Sequence, residues 1–149
     1  SAELNEKFAD LGPEPLEESF TLEVFQKLLH NRRGMLKTTL VNQSFIAGIG
    51  NCYSDEICFD AQIKPTVKIN ELSEQQHDSL YKAIKNVLQS GITQGGYMDD
   101  PLFLGDTLTG QYQTLVYDRK GEPCPRCKAP IVFEEVSSRK CFYCPNCQL

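Results

Sequence analysis

Apolar positions recur at helical spacing through most of the chain and alternate only near its end. Leu4, Phe8 and Leu11 make a short helical pattern. Leu11-Gly12-Pro13-Glu14-Pro15-Leu16 breaks it, because proline removes a donor and restricts its neighbour. Thr21 suits the N-cap of a helix to about Asn31, with Val24, Phe25, Leu28 and Leu29 on one face and Gly34 beyond its end. Residues 37–47 read as another short helix, with Leu36, Leu40, Val41 and Phe45 apolar. After Gly48-Ile49-Gly50, Asn51 is placed to cap a helix from about Cys52 to Gln62, with Asp55 and Glu56 in its first turn and Pro65 beyond its end. Ser73 and Gln76 form a capping box. Leu80, Ile84, Val87, Leu88 and Ile92 then make the stripe of a helix to about Gln94, stopped by Gly95-Gly96. Tyr97 to Gln113 has no period, and Thr114 to Tyr117 reads as extended. Residues 131–136 and 140–143 read as two strands around a Ser137-Ser138-Arg139 turn.

The expected fold is therefore mainly α with a small C-terminal β-hairpin. Residues 1–113 would form the helical domain and residues 114–149 the hairpin module. A chain of 149 residues can bury a real core. No apolar run reaches membrane length, and no signal-peptide pattern opens the chain. The opening Ser1-Ala2 reads as a cloning remnant.

Charge changes the picture through its distribution. The net charge is -5. Residues 1–25 hold seven acids and one base, whereas residues 26–54 hold Lys27, Arg32, Arg33 and Lys37 and no acid. Residues 115–149 hold six bases against four acids. Two locally basic stretches thus lie in an acidic chain, each readable as a solvated face or as a polyanion contact.

The chemistry concentrates at the C-terminus. Cys124-Pro125-Arg126-Cys127 and Cys144-Pro145-Asn146-Cys147 are two CxxC pairs 16 residues apart. This is the ligand spacing of a four-cysteine zinc site with no open coordination position, hence a structural one. Two disulfides or a redox pair are the alternatives. The chain has seven cysteines, so Cys52, Cys58 and Cys141 remain, and no disulfide framework is implied. That usage fits a reducing cytoplasm. Cys52 and Cys58 read as small buried hydrophobes, and Cys141 as a strand residue rather than a fifth ligand.

A second constellation spans about residues 37–62. Two glycines, Gly48 and Gly50, allow a sharp bend and a close approach to the start of the next helix. That helix start favours an anion such as phosphate. Asn51 at the cap and Lys37 upstream are placed to meet the same anion. An ordinary interhelical turn is the competing reading.

Together these residues resemble a known family. Lys37, Gln43, Ala47-Gly48-Ile49-Gly50-Asn51, Tyr53, Asp55-Glu56 and Pro65 resemble the helix–two-turn–helix motif of the formamidopyrimidine-DNA glycosylase and endonuclease VIII family. Val116 to Cys127, and Arg139 through Cys144-Pro145-Asn146-Cys147-Gln148, look like that family's zinc finger. Leu11 to Leu16 looks like its interdomain segment. The resemblance implies a base-excision repair enzyme that bends duplex DNA, flips out an oxidised base, cuts the glycosidic bond and nicks the strand by β,δ-elimination. It implies one structural zinc on Cys124, Cys127, Cys144 and Cys147. It also implies DNA contacts from Lys37, Gly50, Asn51 and Arg139, and a role for Arg139 in δ-elimination.

The family's N-terminal proline nucleophile, its adjacent glutamate and its β-elimination lysine have no counterpart here; Ser1-Ala2-Glu3 opens an acidic stretch instead. The expectation is a DNA-binding C-terminal half, inactive alone, whose catalytic domain lies in cis in a longer parent. Its partner would be duplex DNA with a damaged or abasic site, in the cytoplasm with the bacterial nucleoid. Asn42, Ser138 and Cys141 depart from residues common in the family (aspartate, glycine and threonine respectively). A non-catalytic nucleic-acid module and a protein-binding zinc-ribbon scaffold are the other functions these residues allow. Arg32 and Arg33 could line a DNA face or solvate a helix end. Arg126 and Lys128 could neutralise phosphate or the charge of the zinc site. His30 and His77 lack ligand spacing, and Asp99, Asp100 and Asp106 do not fit a calcium loop.

Overall fold

One buried helix lies between two cores in the computed structural model, which describes residues 12–30, 32–93 and 113–149. The order is α1 (Leu22–Leu29), α2 (Leu36–Leu40), α3 (Asn51–Ala61), a 3-10 turn (Ile69–Glu71), α4 (Glu74–Thr93), β1 (Val132–Val136) and β2 (Arg139–Tyr143). The buried helix is α3. The expected helix near Leu4 to Leu11, the Gly95-Gly96 stop, Tyr97 to Gly110 and Asp99, Asp100 and Asp106 lie outside the described residues.

Two of the three expected caps form, at Thr21 and at Ser73. The Val24 amide donates to Thr21 Oγ1 at 3.2 Å, which opens α1. Ser73 N donates to Gln76 Oε1 at 2.9 Å and Gln76 N to Ser73 Oγ at 3.1 Å, a reciprocal capping box. Phe25 and Leu29 of α1 and Leu80, Ala83, Ile84, Val87 and Leu88 of α4 meet in the main core with Phe45, Ile46 and Ile49. The rings of Phe20, Phe25 and Tyr81 pack at centroid distances of 5.8–6.4 Å.

Boundaries differ where backbone hydrogen bonds override the apolar pattern. α1 stops at Leu29, with His30 as C-cap, before Asn31 and Gly34. The expected 37–47 helix keeps only Leu36–Leu40 as helix. Beyond it, turns bond Phe45 N and Ile46 N to the Asn42 carbonyl. Ser44 N donates to Asn42 Oδ1 at 2.9 Å, a side chain competing with the helical ladder. Asn51 is the first residue of α3 and Gly50 its N-cap, so Asp55 and Glu56 lie one residue further into the helix than expected. Residues 115–116 form a bend and Tyr117 begins a turn, so the expected extended segment is absent.

Two close approaches explain the glycines that matter. Gly48 sits at φ +91, a left-handed conformation that side chains strain. Gly12 lies so near the Phe45 carbonyl that a Cβ there would overlap it. Gly12 N donates to the Gln43 carbonyl at 2.7 Å and Ala47 N to the Pro13 carbonyl at 3.1 Å, fastening the 12–16 segment to the turn.

β1 and β2 form one antiparallel pair, with Val136 opposite Arg139 and Val132 opposite Tyr143. Ser137 (φ 50) and Ser138 (φ 66) both take positive φ, the backbone of a two-residue hairpin turn. Serine adopts here what glycine adopts more cheaply. The strand pair packs on α3 through a second core of Phe59, Val116, Cys124, Ile131, Phe142 and Cys144. Because Phe59 belongs to α3, this helix is buried on both sides, with residues 52–59 all in the interior. Among the described residues no helix is long and apolar enough to cross a membrane.

Candidate nucleic-acid interface and metal centre

The four predicted zinc ligands come together. Their Sγ atoms all lie within 4.8 Å of one another, with Cys124–Cys147 and Cys127–Cys144 each at 3.4 Å. A disulfide requires about 2.05 Å, so neither pair is oxidised. Four sulfurs about 2.3 Å from a tetrahedral zinc stand roughly 3.8 Å apart, close to what is seen. The Arg126 amide donates to Cys124 Sγ and the Cys147 amide to Cys144 Sγ, both at 3.4 Å. Such bonds stabilise thiolate. Lys128 (φ 71) turns the first knuckle back so that its amide reaches the Cys124 carbonyl at 2.9 Å.

Ionisation within the cluster is uneven. The Asn146 side chain and the Ala129 backbone draw the Cys127 thiol down to about 6. Burial and the neighbouring thiols push Cys147 up to about 12. A divalent cation taking all four as thiolates removes that conflict, so the donor set suits one structural zinc. Cys141 is not among these ligands; it is buried with Val136 and Tyr143 in a small separate cluster. Cys52 and Cys58 are buried in α3, and burial raises the Cys58 thiol.

Two of the predicted DNA-binding side chains also meet. Arg139 opens β2 next to the hairpin turn, and its Nη1 donates to Asn51 Oδ1 at 3.2 Å. Arginine has donors only, so the acceptor facing it must be Oδ1, and the Asn51 amide nitrogen remains a donor. Gly50, extended at φ -98, is the N-cap of α3 and supplies no side-chain hydrogen bond there. Gln43 shapes the approach: its Oε1 accepts from Gly48 N at 2.7 Å and its Nε2 donates to the Ile49 carbonyl at 3.0 Å. A helix N-terminus, an amide donor and an exposed guanidinium thus lie side by side, an arrangement suited to an anion.

Lys37 departs from its expected place. It is 0% exposed. Its Nζ donates to Asp55 Oδ1 at 2.7 Å, Ser54 Oγ at 2.8 Å and the Asn51 carbonyl at 3.0 Å. An ammonium has three hydrogens, and all three are used inside the protein. Lys37 therefore does not contact a phosphate in this structure. It fixes the backbone carbonyl of Asn51 at the start of α3.

Asp55 and Glu56 carry a role that sequence reasoning missed. Glu56 accepts Leu115 N at 2.7 Å, Val116 N at 2.9 Å and Tyr117 N at 3.2 Å. Asp55 Oδ2 accepts Phe142 N at 2.9 Å. These two carboxylates bind α3 to both the lead-in and the second strand of the zinc module. Burial raises Asp55 to about 6, against the lowering pull of Lys37 and the Phe142 amide. The available signal was their setting: a helix otherwise rich in buried residues leaves no room for unpaired charge.

Further ties make the junction rigid. Arg126 donates to the Phe59 carbonyl and lies 3.8 Å from the Phe59 ring centroid, so it docks on the end of α3 rather than on phosphate. Gln148 Oε1 accepts Cys144 N at 2.7 Å while Nε2 donates to the Ile63 carbonyl at 2.9 Å. Arg32 donates to the Leu28 carbonyl at 3.0 Å and stacks on Phe45, holding a helix end. Arg33 is exposed.

Known proteins share this arrangement. Residues 11–100 match the family described as "Formamidopyrimidine-DNA glycosylase H2TH domain", and residues 121–149 match "Zinc finger found in FPG and IleRS". A formamidopyrimidine-DNA glycosylase from Pelotomaculum thermopropionicum is 42% identical over 141 residues, covering 93% of this chain and 51% of the relative. The MutM (Fpg) structure from Thermus thermophilus superposes with a TM-score of 0.80 at 34% identity, over 93% of this chain and 54% of that one. A Lactococcus lactis Fpg complex with abasic-site DNA gives a TM-score of 0.87 at 33% identity, over 100% and 55%. The chain spans about half the length of the curated relatives it matches.

Proposed function

Because the chain belongs to the formamidopyrimidine-DNA glycosylase family, we propose that it is the DNA-gripping C-terminal part of a base-excision repair glycosylase/AP lyase. Its partner is duplex DNA carrying an oxidised base or an abasic site. The observation that carries this reading is the meeting of Arg139 with Asn51 at the start of α3. A DNA phosphate bridging the two residues would replace the Arg139–Asn51 bond with charge-assisted ones. The α3 N-terminus, with Gly50 as its cap, adds a favourable partial charge. Zinc, when bound, holds the hairpin that presents Arg139 and does no chemistry itself.

The base-cutting chemistry belongs to the remainder of the longer relatives, in cis with this part. The 149-residue chain alone binds and does not cleave. In the complete enzyme Arg139, permanently charged, stabilises the phosphate lost in δ-elimination. The seven free cysteines accord with a reducing cytoplasm, where the bacterial chromosome lies.

The test is a titration of the zinc-loaded chain against a duplex with one tetrahydrofuran abasic analogue, at about 50 and about 200 mM salt. Affinity should fall steeply with salt, as phosphate neutralisation requires. Binding that is absent, or indifferent to salt, would reject the proposal.

A further inference from the structure

The two gripping residues come from separate modules, yet a single carboxylate reaches both. Asn51 begins α3, and Asp55 lies one helical turn along the same helix. Through Oδ1, Asp55 holds the Lys37 ammonium, which also holds the Asn51 carbonyl. Through Oδ2 it holds the Phe142 amide, on the strand that Arg139 opens. Ser54 closes the network: its hydroxyl donates to the Asn51 carbonyl at 2.8 Å and accepts from Lys37 at 2.8 Å. On the residues' outer side, Arg139 and Asn51 stand 3.2 Å apart.

We propose that Asp55 is a positioning residue that sets the spacing of Asn51 and Arg139, and so the width of the phosphate grip. The inference deepens the DNA-binding reading and rests on it for its purpose. Lys37 Nζ and the Phe142 amide, held by the two oxygens of Asp55, are both donors. Only a carboxylate offers each an acceptor. An asparagine has one acceptor oxygen and must turn its NH2 toward one of the two donors. Asp55→Asn therefore cuts either the link to Asn51 or the link to β2. Burying the charge raises Asp55 to about 6, so the carboxylate is held against its solvation preference.

The test separates geometry from folding. Duplex affinity is measured for the zinc-loaded chain, for Asn51→Ala, for Arg139→Ala and for the double variant, and again with Asp55→Asn in each. With Asp55 present, the two losses should be non-multiplicative by roughly 3- to 30-fold, as for residues sharing one ligand. With Asp55→Asn the coupling should fall below about twofold while zinc content and helicity persist. A second readout needs no DNA. Arg139→Ala should move the Asn51 side-chain amide signal in a 15N NMR spectrum, and should cease to move it in the Asp55→Asn background. Should Asp55→Asn not fold, Ser54→Ala, which removes one hydroxyl from the same network, is read by the same two measurements and should reduce both effects. Coupling and NMR response that persist undiminished in the folded variants overturn the inference. A wild-type chain that ignores DNA refutes the DNA-binding reading, and the NMR response still decides the role of Asp55.

Discussion

Arg139 Nη1 and Asn51 Oδ1 are 3.2 Å apart, although 88 positions separate the residues in the chain. One comes from a zinc-held hairpin, the other from the first position of a buried helix. Neither side chain is buried, so the bond between them contributes little to stability, on the order of a surface contact. Arg139→Ala and Asn51→Ala should thus each change the melting temperature little and weaken duplex binding. The salt slope distinguishes them. Arg139→Ala removes a charge and should reduce the slope by about one unit, whereas Asn51→Ala should leave it intact. Equal slopes for both variants would show that Arg139 does not neutralise phosphate.

Lys37 should behave in the opposite way. It is fully buried and paired with Asp55 at 2.7 Å. Truncating one partner of a buried pair leaves the other charge unpaired, at a cost of about 3–5 kcal/mol. Lys37→Ala should lower unfolding free energy by that order at pH 7.5 in urea titration. The cost should shrink at pH 5, where Asp55 can take up a proton. If Lys37→Ala keeps wild-type stability and flattens the salt slope instead, the ammonium reaches DNA and the buried geometry is not the binding form.

The difference between those two basic residues shows what the sequence made legible. The zinc ligands were readable because CxxC pairs encode a local turn, and the ligand count fixes the rest. The capping residues Thr21 and Ser73 were readable for the same reason: their partners lie three residues away. Arg139 was placed by resemblance, Asn51 by the glycine turn and helix start as well, and the structure brings the two together. Lys37 misled because lysine is seldom buried without a partner, and its partner Asp55 looked like ordinary first-turn acid. The partners of Asp55 and Glu56 are backbone amides at 115–117 and 142, and a backbone amide has no signature in the sequence. What was not legible is therefore the seam between modules.

That seam makes its own prediction. Glu56 accepts three consecutive amides, two of them through Oε2. Glu56→Gln puts an NH2 group against at least one of those donors. Leaving a buried donor unsatisfied costs about 1–3 kcal/mol. Hydrogen exchange at Leu115, Val116 and Tyr117 should accelerate in this variant, with exchange in the middle of α4 little changed. Uniform acceleration throughout would mean that Glu56 acts on global stability and not on the seam.

Acidity reaches the same junction through Asp55, whose folded value is about 6 against 3.8 for an exposed aspartate. The groups around it are Lys37, Glu56, Cys58 and Cys141, together with the Phe142 amide. A raised value means that the folded state holds this proton more tightly than the unfolded state. The stabilisation is complete below pH 3.8 and is lost as pH rises through about 6. Other carboxylates change stability too, so the comparison is with Asp55→Asn, which cannot titrate. From pH 4 to pH 7 the wild type should lose about 2 kcal/mol relative to that variant. A stability difference that stays constant over this range would show that Asp55 ionises freely.

Metal removal tests how far the two modules share a fate. The ligand cluster lies in a core that includes Phe59 of α3, and Gln148 bonds from Cys144 to the Ile63 carbonyl. Loss of zinc therefore should not be confined to the hairpin. One metal per chain is expected, because the four thiols form a single site. On chelation, the amides of Val132–Val136 and Arg139–Tyr143 should lose protection first, because the strand pair depends on the knuckles at its base. The C-terminal end of α3 should loosen with them, while α4, packed on Phe25 and Leu29, should keep its protection. DNA affinity should fall by at least the Arg139→Ala loss, since the hairpin that aims Arg139 is gone. Readdition of zinc should restore both protection and binding. A chelated chain that keeps its hairpin and its affinity would show that strand pairing and the Asp55 and Glu56 bonds suffice without the metal.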